Sequence, residues 1–173
     1  MKRMCAWCGM DMGTLPSEVM SENVITHGIC LECVNKVLAE YGTETRTFLN
    51  RLAEPVVIVD GTGSVKTANK QAQSLLQKEL PDIEGYRGGE VFQCIHAELP
   101  EGCGNTVHCS GCTIRRTIMD TYKSGKPHLK TPAYLNQGTP DNYRKVDFLI
   151  STEKVGGVVL LRIDNVANNE GRQ

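Results

Sequence analysis

The chain's eight cysteines fall into two sets of four, with none left over. Cys5, Cys8, Cys30 and Cys33 form two C-x-x-C pairs near the N-terminus, and Cys94, Cys103, Cys109 and Cys112 lie within nineteen residues at mid-chain. Four sulfurs are what a tetrahedral metal site needs, so the grouping predicts two separate metal or redox centres. In a reducing compartment, clustered cysteines are more often ligands than disulfide partners.

Charge and composition narrow the setting of those centres. A formal net charge of −1 gives no electrostatic footprint for nucleic acid or an anionic membrane. Aromatic residues, at 5%, are too few for base-stacking platforms. Met1-Lys2-Arg3-Met4 is basic, but Cys5 to Gly13 is no apolar signal core, and no stretch approaches membrane-spanning length. A cytoplasmic protein without membrane or nucleic-acid partners is expected.

Residues 1–42 form a first unit. Pro16, several glycines and the cysteine pairs leave little room for an apolar core, so a metal must supply the missing stability. Val34, Val37, Leu38 and Tyr41 recur at helical spacing and predict a helix stopped by Gly42. Residues 43–54 read as a linking amphipathic helix with Phe48, Leu49 and Leu52 on one side, ended by Pro55. That side would support a homodimer or pack against the chain's own sheet.

From 55 to 166 the pattern changes. Val56-Val57-Ile58-Val59 is a β-branched run, and the turn Asp60-Gly61-Thr62-Gly63 leads to Ser64-Val65-Lys66-Thr67, which predicts a hairpin. A helix is expected over 69–78 with Ala72, Leu75 and Leu76 inward. The cysteine segment reads as irregular up to Cys112. A helix over 113–124 then carries Ile114, Ile118, Met119 and Tyr122, and Gly125 caps it. Two strands, 144–152 and 158–164, are predicted about a Gly156-Gly157 turn. Residues 167–173 are a polar tail.

The run Pro55-Val56-Val57-Ile58-Val59-Asp60 with Gly63-Ser64-Val65, then Ala68-Asn69-Lys70-Gln71-Ala72, resembles the first hairpin and asparagine-led helix of a PAS domain. Gly157-Val158-Val159-Leu160-Leu161-Arg162-Ile163-Asp164-Asn165 resembles the last PAS strand, so the likeness spans about 52–166. It implies an α+β class: an antiparallel sheet flanked by short helices, preceded here by a small four-cysteine zinc-finger-like unit. Gly89 to Cys94 and Gly102 to Arg115 are similar to cysteine-bearing PAS segments of bacterial signalling proteins, often attached to histidine kinases. The first unit resembles a four-cysteine finger through His27-Gly28-Ile29-Cys30-Leu31-Glu32-Cys33. The sequence lacks a phosphoacceptor-histidine helix and an ATP-binding domain, so kinase activity is not carried over and no enzyme is expected.

In the N-terminal set, C-x-x-C turns let backbone amides converge on sulfur, and Gly9 supplies a permissive backbone after Cys8. The second pair opens the helix expected from 34, whose dipole favours thiolate. Structural Zn²⁺ in a treble-clef or ribbon finger is the leading reading, against mononuclear iron or a redox thiol pair. Trp7 reads as a shield for the metal and His27 as a hydrogen-bonding neighbour.

The internal spacing, Cys94-x8-Cys103-x5-Cys109-x2-Cys112, matches no familiar finger. Cys109 and Cys112 sit at the start of the 113–124 helix, where backbone amides with Arg115 and Arg116 would favour thiolate and offset an anionic cluster. Three readings stay open: an iron–sulfur cluster, Zn²⁺, or a thiol–disulfide switch. His96 and His108 flank the set and read as hydrogen-bonding or surface residues. No C-x-x-C is followed by His, which excludes covalent haem by pattern; His108 or His128 as a non-covalent haem ligand is the least favoured option. Gly61-Thr62-Gly63 is a hairpin turn rather than a dinucleotide fingerprint, and no GxSxG, P-loop or HExxH occurs.

Together these features predict a non-catalytic bacterial signalling protein, a PAS sensor of redox state or metal that contacts a protein partner such as a histidine kinase or regulator. An adaptor or transcription-associated protein with two structural zinc sites is the rival. A small iron–sulfur electron carrier is the third.

Overall fold

A computed structural model describes residues 2–6, 8–14, 25–30, 32–33 and 43–168. Trp7, the helix expected over 34–41 and most of the polar tail lie outside the described residues. The chain divides into two compact units, Met1–Thr45 and Arg46–Gln173.

The first unit is built on three four-residue strands, β1 (Lys2–Cys5), β2 (Asp11–Thr14) and β3 (Ile25–Gly28), in the order β2-β1-β3. β1 runs antiparallel to β2 and parallel to β3, with Cys5 opposite Gly28. Strands this short carry too few residues for a readable period of two, which is why the sequence gives no sign of them. The turn after β1 is closed by the Gly9 amide donating to the Cys5 carbonyl at 2.9 Å, with Gly9 at φ +71.

α1 (Thr43–Leu49) runs across the division, and the second unit continues with a five-stranded antiparallel sheet. The strands are β4 (Val56–Asp60), β5 (Val65–Ala68), β6 (His128–Thr139), β7 (Asn142–Val155) and β8 (Val158–Asn168), in the order β5-β4-β8-β7-β6. All four residues of Val56–Val59 are buried, as expected of an unbroken β-branched run covered on both faces. Val57, Val59 and Val65 join Leu161, Ile163, Phe148 and Ile150 in one core beneath the helices. The predicted hairpin and both C-terminal strands form, with β7 and β8 longer than expected. β6 is unannounced in the sequence: Pro132 and the polar Asn136-Gln137 break its alternation, which an edge strand tolerates.

α2 (Lys70–Leu76) starts at Asn69, which is fully buried. Its Oδ1 accepts the amides of Val56 and Ala72, each at 2.9 Å, and its Nδ2 donates to the carbonyls of Leu49 at 3.0 Å and Glu54 at 2.9 Å. One side chain therefore joins α1, β4 and α2, using its full hydrogen-bonding capacity. Ala72 and Leu76 are buried, but Leu75, expected inward, is 39% exposed. The seven-residue helix presses only one narrow i, i+4 line onto the core.

The segment expected to be irregular holds α3 (Gly88–Val91) and 3₁₀ turns at Leu80–Asp82, Ile95–Glu98 and Val107–Gly111. α4 (Thr113–Ser124) has the predicted bounds, and Gly125 caps it at φ +72. Gly61 in the β4–β5 turn lies against the Tyr122 ring of α4, and a Cβ there would overlap that ring. No helix among the described residues is long and apolar enough to cross a membrane.

Candidate metal centres

Parallel pairing of β1 with β3 brings the two N-terminal knuckles side by side. The sulfurs of Cys5, Cys8, Cys30 and Cys33 all lie within 4.8 Å of one another, and Cys8 Sγ is 3.7 Å from Cys30 Sγ. A tetrahedral zinc with Zn–S near 2.3 Å holds its sulfurs about 3.8 Å apart, so this spacing fits a single ion. The amides of Cys8 and Cys30 donate to Cys5 Sγ at 3.5 and 3.4 Å. Cys5, Cys30 and Cys33 are buried and Cys8 is exposed. Burial first, and then hydrogen bonds with Cys30 and Cys8, push the Cys33 thiol well above its ordinary range. Thiols crowded in this way suit a cation that takes the place of their protons. His27 is exposed on β3 and stands outside the group.

The internal set is arranged differently. Cys94, Cys103, Cys109 and Cys112 all line one cavity of about 90 Å³, whose apolar floor includes Val59 and Leu161 of the sheet and Ile118 of α4. Among the described residues, only the N-terminal group gathers three or more ligand atoms that closely. The internal thiols thus ring a space instead of converging on a point. The volume far exceeds the roughly 10–15 Å³ that one water requires.

Three elements place these sulfurs. Cys94 follows α3; its amide donates to the Gly89 carbonyl at 2.7 Å, and it pairs with Gln137 of β6. The Gly138 amide donates to the Gln93 carbonyl at 3.0 Å, so the segment entering the site is stitched to the edge strand. Cys103 Sγ accepts the Gly89 amide at 3.1 Å. Cys109 Sγ accepts the Gly104 amide at 3.1 Å and contacts Thr106 Oγ1 at 3.2 Å. Cys112 is the N-cap residue of α4.

Cys109 differs in acidity from Cys94 and Cys103. Burial pushes Cys94 and Cys103 up, and the charges of the other cysteines add to this. Burial opposes ionisation of Cys109 as well, but the Thr106 hydroxyl, the Gly104 amide and the Arg115 charge bring it below its ordinary value. Amides aimed at sulfur, four thiols around a roomy cavity and a nearby guanidinium fit an anionic multi-iron cluster. Such a cluster places its own iron and sulfide between the thiolates, so they stay farther apart than around one ion.

Arg115 lines the cavity, whereas Arg116 is exposed and does not. His96 and His108 also line it, their rings stacked at 3.9 Å and 14°. Burial and then the charge of His108 lower the His96 pKa. His128 is not on the cavity wall; its Nε2 meets Asp120 Oδ2 at 2.7 Å. Arg87 and the close approaches at Gly63, Gly89 and Gly104 were missed by the sequence reading. A glycine beside a cysteine was the available signal for one of the three, Gly104 after Cys103.

Residues 44–109 match a family model described as PAS domain. The Rhodobacter sphaeroides LOV protein is similar in structure, with a TM-score of 0.51 and 15% identity over 79% of this chain and 70% of that one. The photoactive yellow protein domain of the sensor histidine kinase Ppr from Rhodospirillum centenum has a TM-score of 0.45 and 16% identity, covering 76% and 99%. The PAS domain of nitrogen regulation protein NR(II) from Vibrio parahaemolyticus has a TM-score of 0.44 and 13% identity, covering 72% and 99%. No curated protein matches the chain.

Proposed function

We propose that this chain of PAS fold, whose residues 44–109 match a PAS domain model, is a non-catalytic signalling protein that senses redox state or metal through the cavity ringed by Cys94, Cys103, Cys109 and Cys112. One observation carries this reading: four thiols face a single cavity set on the sheet and α4, and two of them accept glycine amides. An iron–sulfur cluster suits that cavity, and when bound it supplies one-electron redox chemistry. Cys5, Cys8, Cys30 and Cys33 hold structural Zn²⁺ in this reading, in keeping with their tight spacing.

The chain's own residues supply the route outward. Cys112 opens α4, and Cys94 is tied to β6 at Gln137. A shift in either thiol moves an element of the sheet-and-helix core, which a signalling partner such as a histidine kinase or regulator would read by contact.

An adaptor with two structural zinc ions is the second reading, favoured by the ease with which four thiolates take zinc. The experiment is purification without oxygen, followed by iron, sulfide and zinc analysis and a visible spectrum. Iron with acid-labile sulfide, one zinc per chain and colour that bleaches on reduction support the sensor. Colourless protein with about two zinc ions per chain, one for each four-cysteine set, supports the adaptor.

A further inference from the structure

We infer that the Arg115 guanidinium, braced by Arg87, is the counter-charge that sets the reduction potential of an iron–sulfur cluster in the internal cavity. This rests on the cluster reading above and assigns the residue that tunes it.

The two arginines are placed in an unusual way. Measured from the position a Cβ would take on Gly104, Arg115 Nη1 is 2.6 Å away and Arg87 Nη1 is 3.4 Å away. Measured from the same position on Gly63, the distances are 3.4 and 4.0 Å. Two like charges are therefore held within about 6 Å of each other. None of the ion pairs among the described residues includes either one. Arg87 is fixed by donating from Nη1 to the Thr62 carbonyl at 2.7 Å. Gly104, at φ +94, leaves the room that Arg115 fills.

Such a pair is unfavourable unless negative charge lies beside it. The four cysteines line the same cavity as Arg115, so their thiolates are the negative charge it faces there. Arg115 stands on the first turn of α4, three residues after Cys112, and lines the cavity. It acts through electrostatics and needs no bond to iron.

The redox step is simple to balance. A four-iron cluster in its 2+ state with four thiolates carries a net charge of −2; one electron from a reductant makes it −3, with no proton taken up and no bond broken. A fixed positive charge in the cavity wall stabilises the −3 form more than the −2 form, and so raises the potential.

The test uses the full chain purified without oxygen, with iron content measured first. A midpoint titration with dithionite and mediators is then followed by visible absorbance and by EPR of the reduced state. Arg115→Gln should retain iron and lower the reduced-to-oxidised ratio at fixed potential by tenfold or more, about 59 mV for one electron. Arg115→Lys should shift it less, and Arg116→Gln not at all. An unchanged midpoint in iron-loaded Arg115→Gln overturns the inference while leaving the sensor reading intact. Wild-type protein without iron overturns both. If Arg115→Gln loses iron, Arg115→Lys decides: retained iron and a near-native midpoint support the charge role, and loss there too assigns Arg115 a packing role and overturns it.

Discussion

Gly88 and Gly89 are neighbours in α3, and alanine at each should have opposite effects. Neither has a positive φ, so backbone strain does not separate them. Nothing lies within 4 Å of a Cβ on Gly88. A Cβ on Gly89 would sit 2.7 Å from Cys103 Sγ, 3.0 Å from Cys103 Cβ and 3.3 Å from Ala97 Cβ. Gly88→Ala should thus be neutral or stabilising by up to about 1 kcal/mol, through the unfolded chain's lost freedom. Gly89→Ala should incur an overpacking cost of about 1–3 kcal/mol. It should also weaken the 3.1 Å bond from the Gly89 amide to Cys103 Sγ, a further loss of roughly 1 kcal/mol. Against the alanine gain, the net destabilisation is about 1–3 kcal/mol, or roughly 4 °C of melting temperature per kcal/mol in a unit of this size. Thermal melts of both variants, with thiol-labelling rates of Cys103, are the assay. Equal melting temperatures and equal labelling would refute the argument that Gly89 is glycine because Cys103 lies against it.

Asn69→Ala should destabilise by about 3–5 kcal/mol in urea unfolding, since it strands two amides and two carbonyls at a buried junction; a loss under 1 kcal/mol would contradict that account. Asp60 is pushed up by burial, but the Thr62 hydroxyl, Lys66 and the amides of Thr62 and Ser64 together hold it well below the ordinary carboxylate range. Its folded pKa is depressed, so its stabilisation is present above the unfolded value near 3.8 and is lost as pH falls below that. Melting temperature should fall more steeply in wild type than in Asp60→Asn as pH drops below about 4, the unfolded side of such linkage. Chelation of the full chain should remove hydrogen-exchange protection from β1 to β3 and spare β4 to β8; simultaneous loss in both units would argue against independent stability.

Much of the second unit was legible because its signals are local. The Val56–Val59 run, the Asp60–Gly63 turn, the Asn69 cap and the Gly125 stop each declare an element within a few residues. β6 was hidden because an edge strand obeys no strict alternation, and Leu75 was misplaced because a short helix can bury fewer apolar residues than its sequence offers. For the candidate sites, spacing divided the cysteines into two sets of four. It did not foretell that one set would close on a point and the other ring a cavity. That difference arises from long-range pairing: β1 with β3 in one case, and the Cys94 segment with β6 in the other. Arg87 was missed for the same reason, since it meets Arg115 only once the β4–β5 turn has folded over α4.

The stitch between Gln93-Cys94 and Gln137-Gly138 also bears on solubility. An outermost strand offers its backbone to any passing chain, and here a short crossing segment plugs part of that rim. The Gln93 and Phe92 carbonyls anchor the plug to Gly138 and Gln137, so loosening this segment would open a docking slot for a foreign strand. The same few residues that would register an electron thus also guard the molecule against joining its neighbours edge to edge.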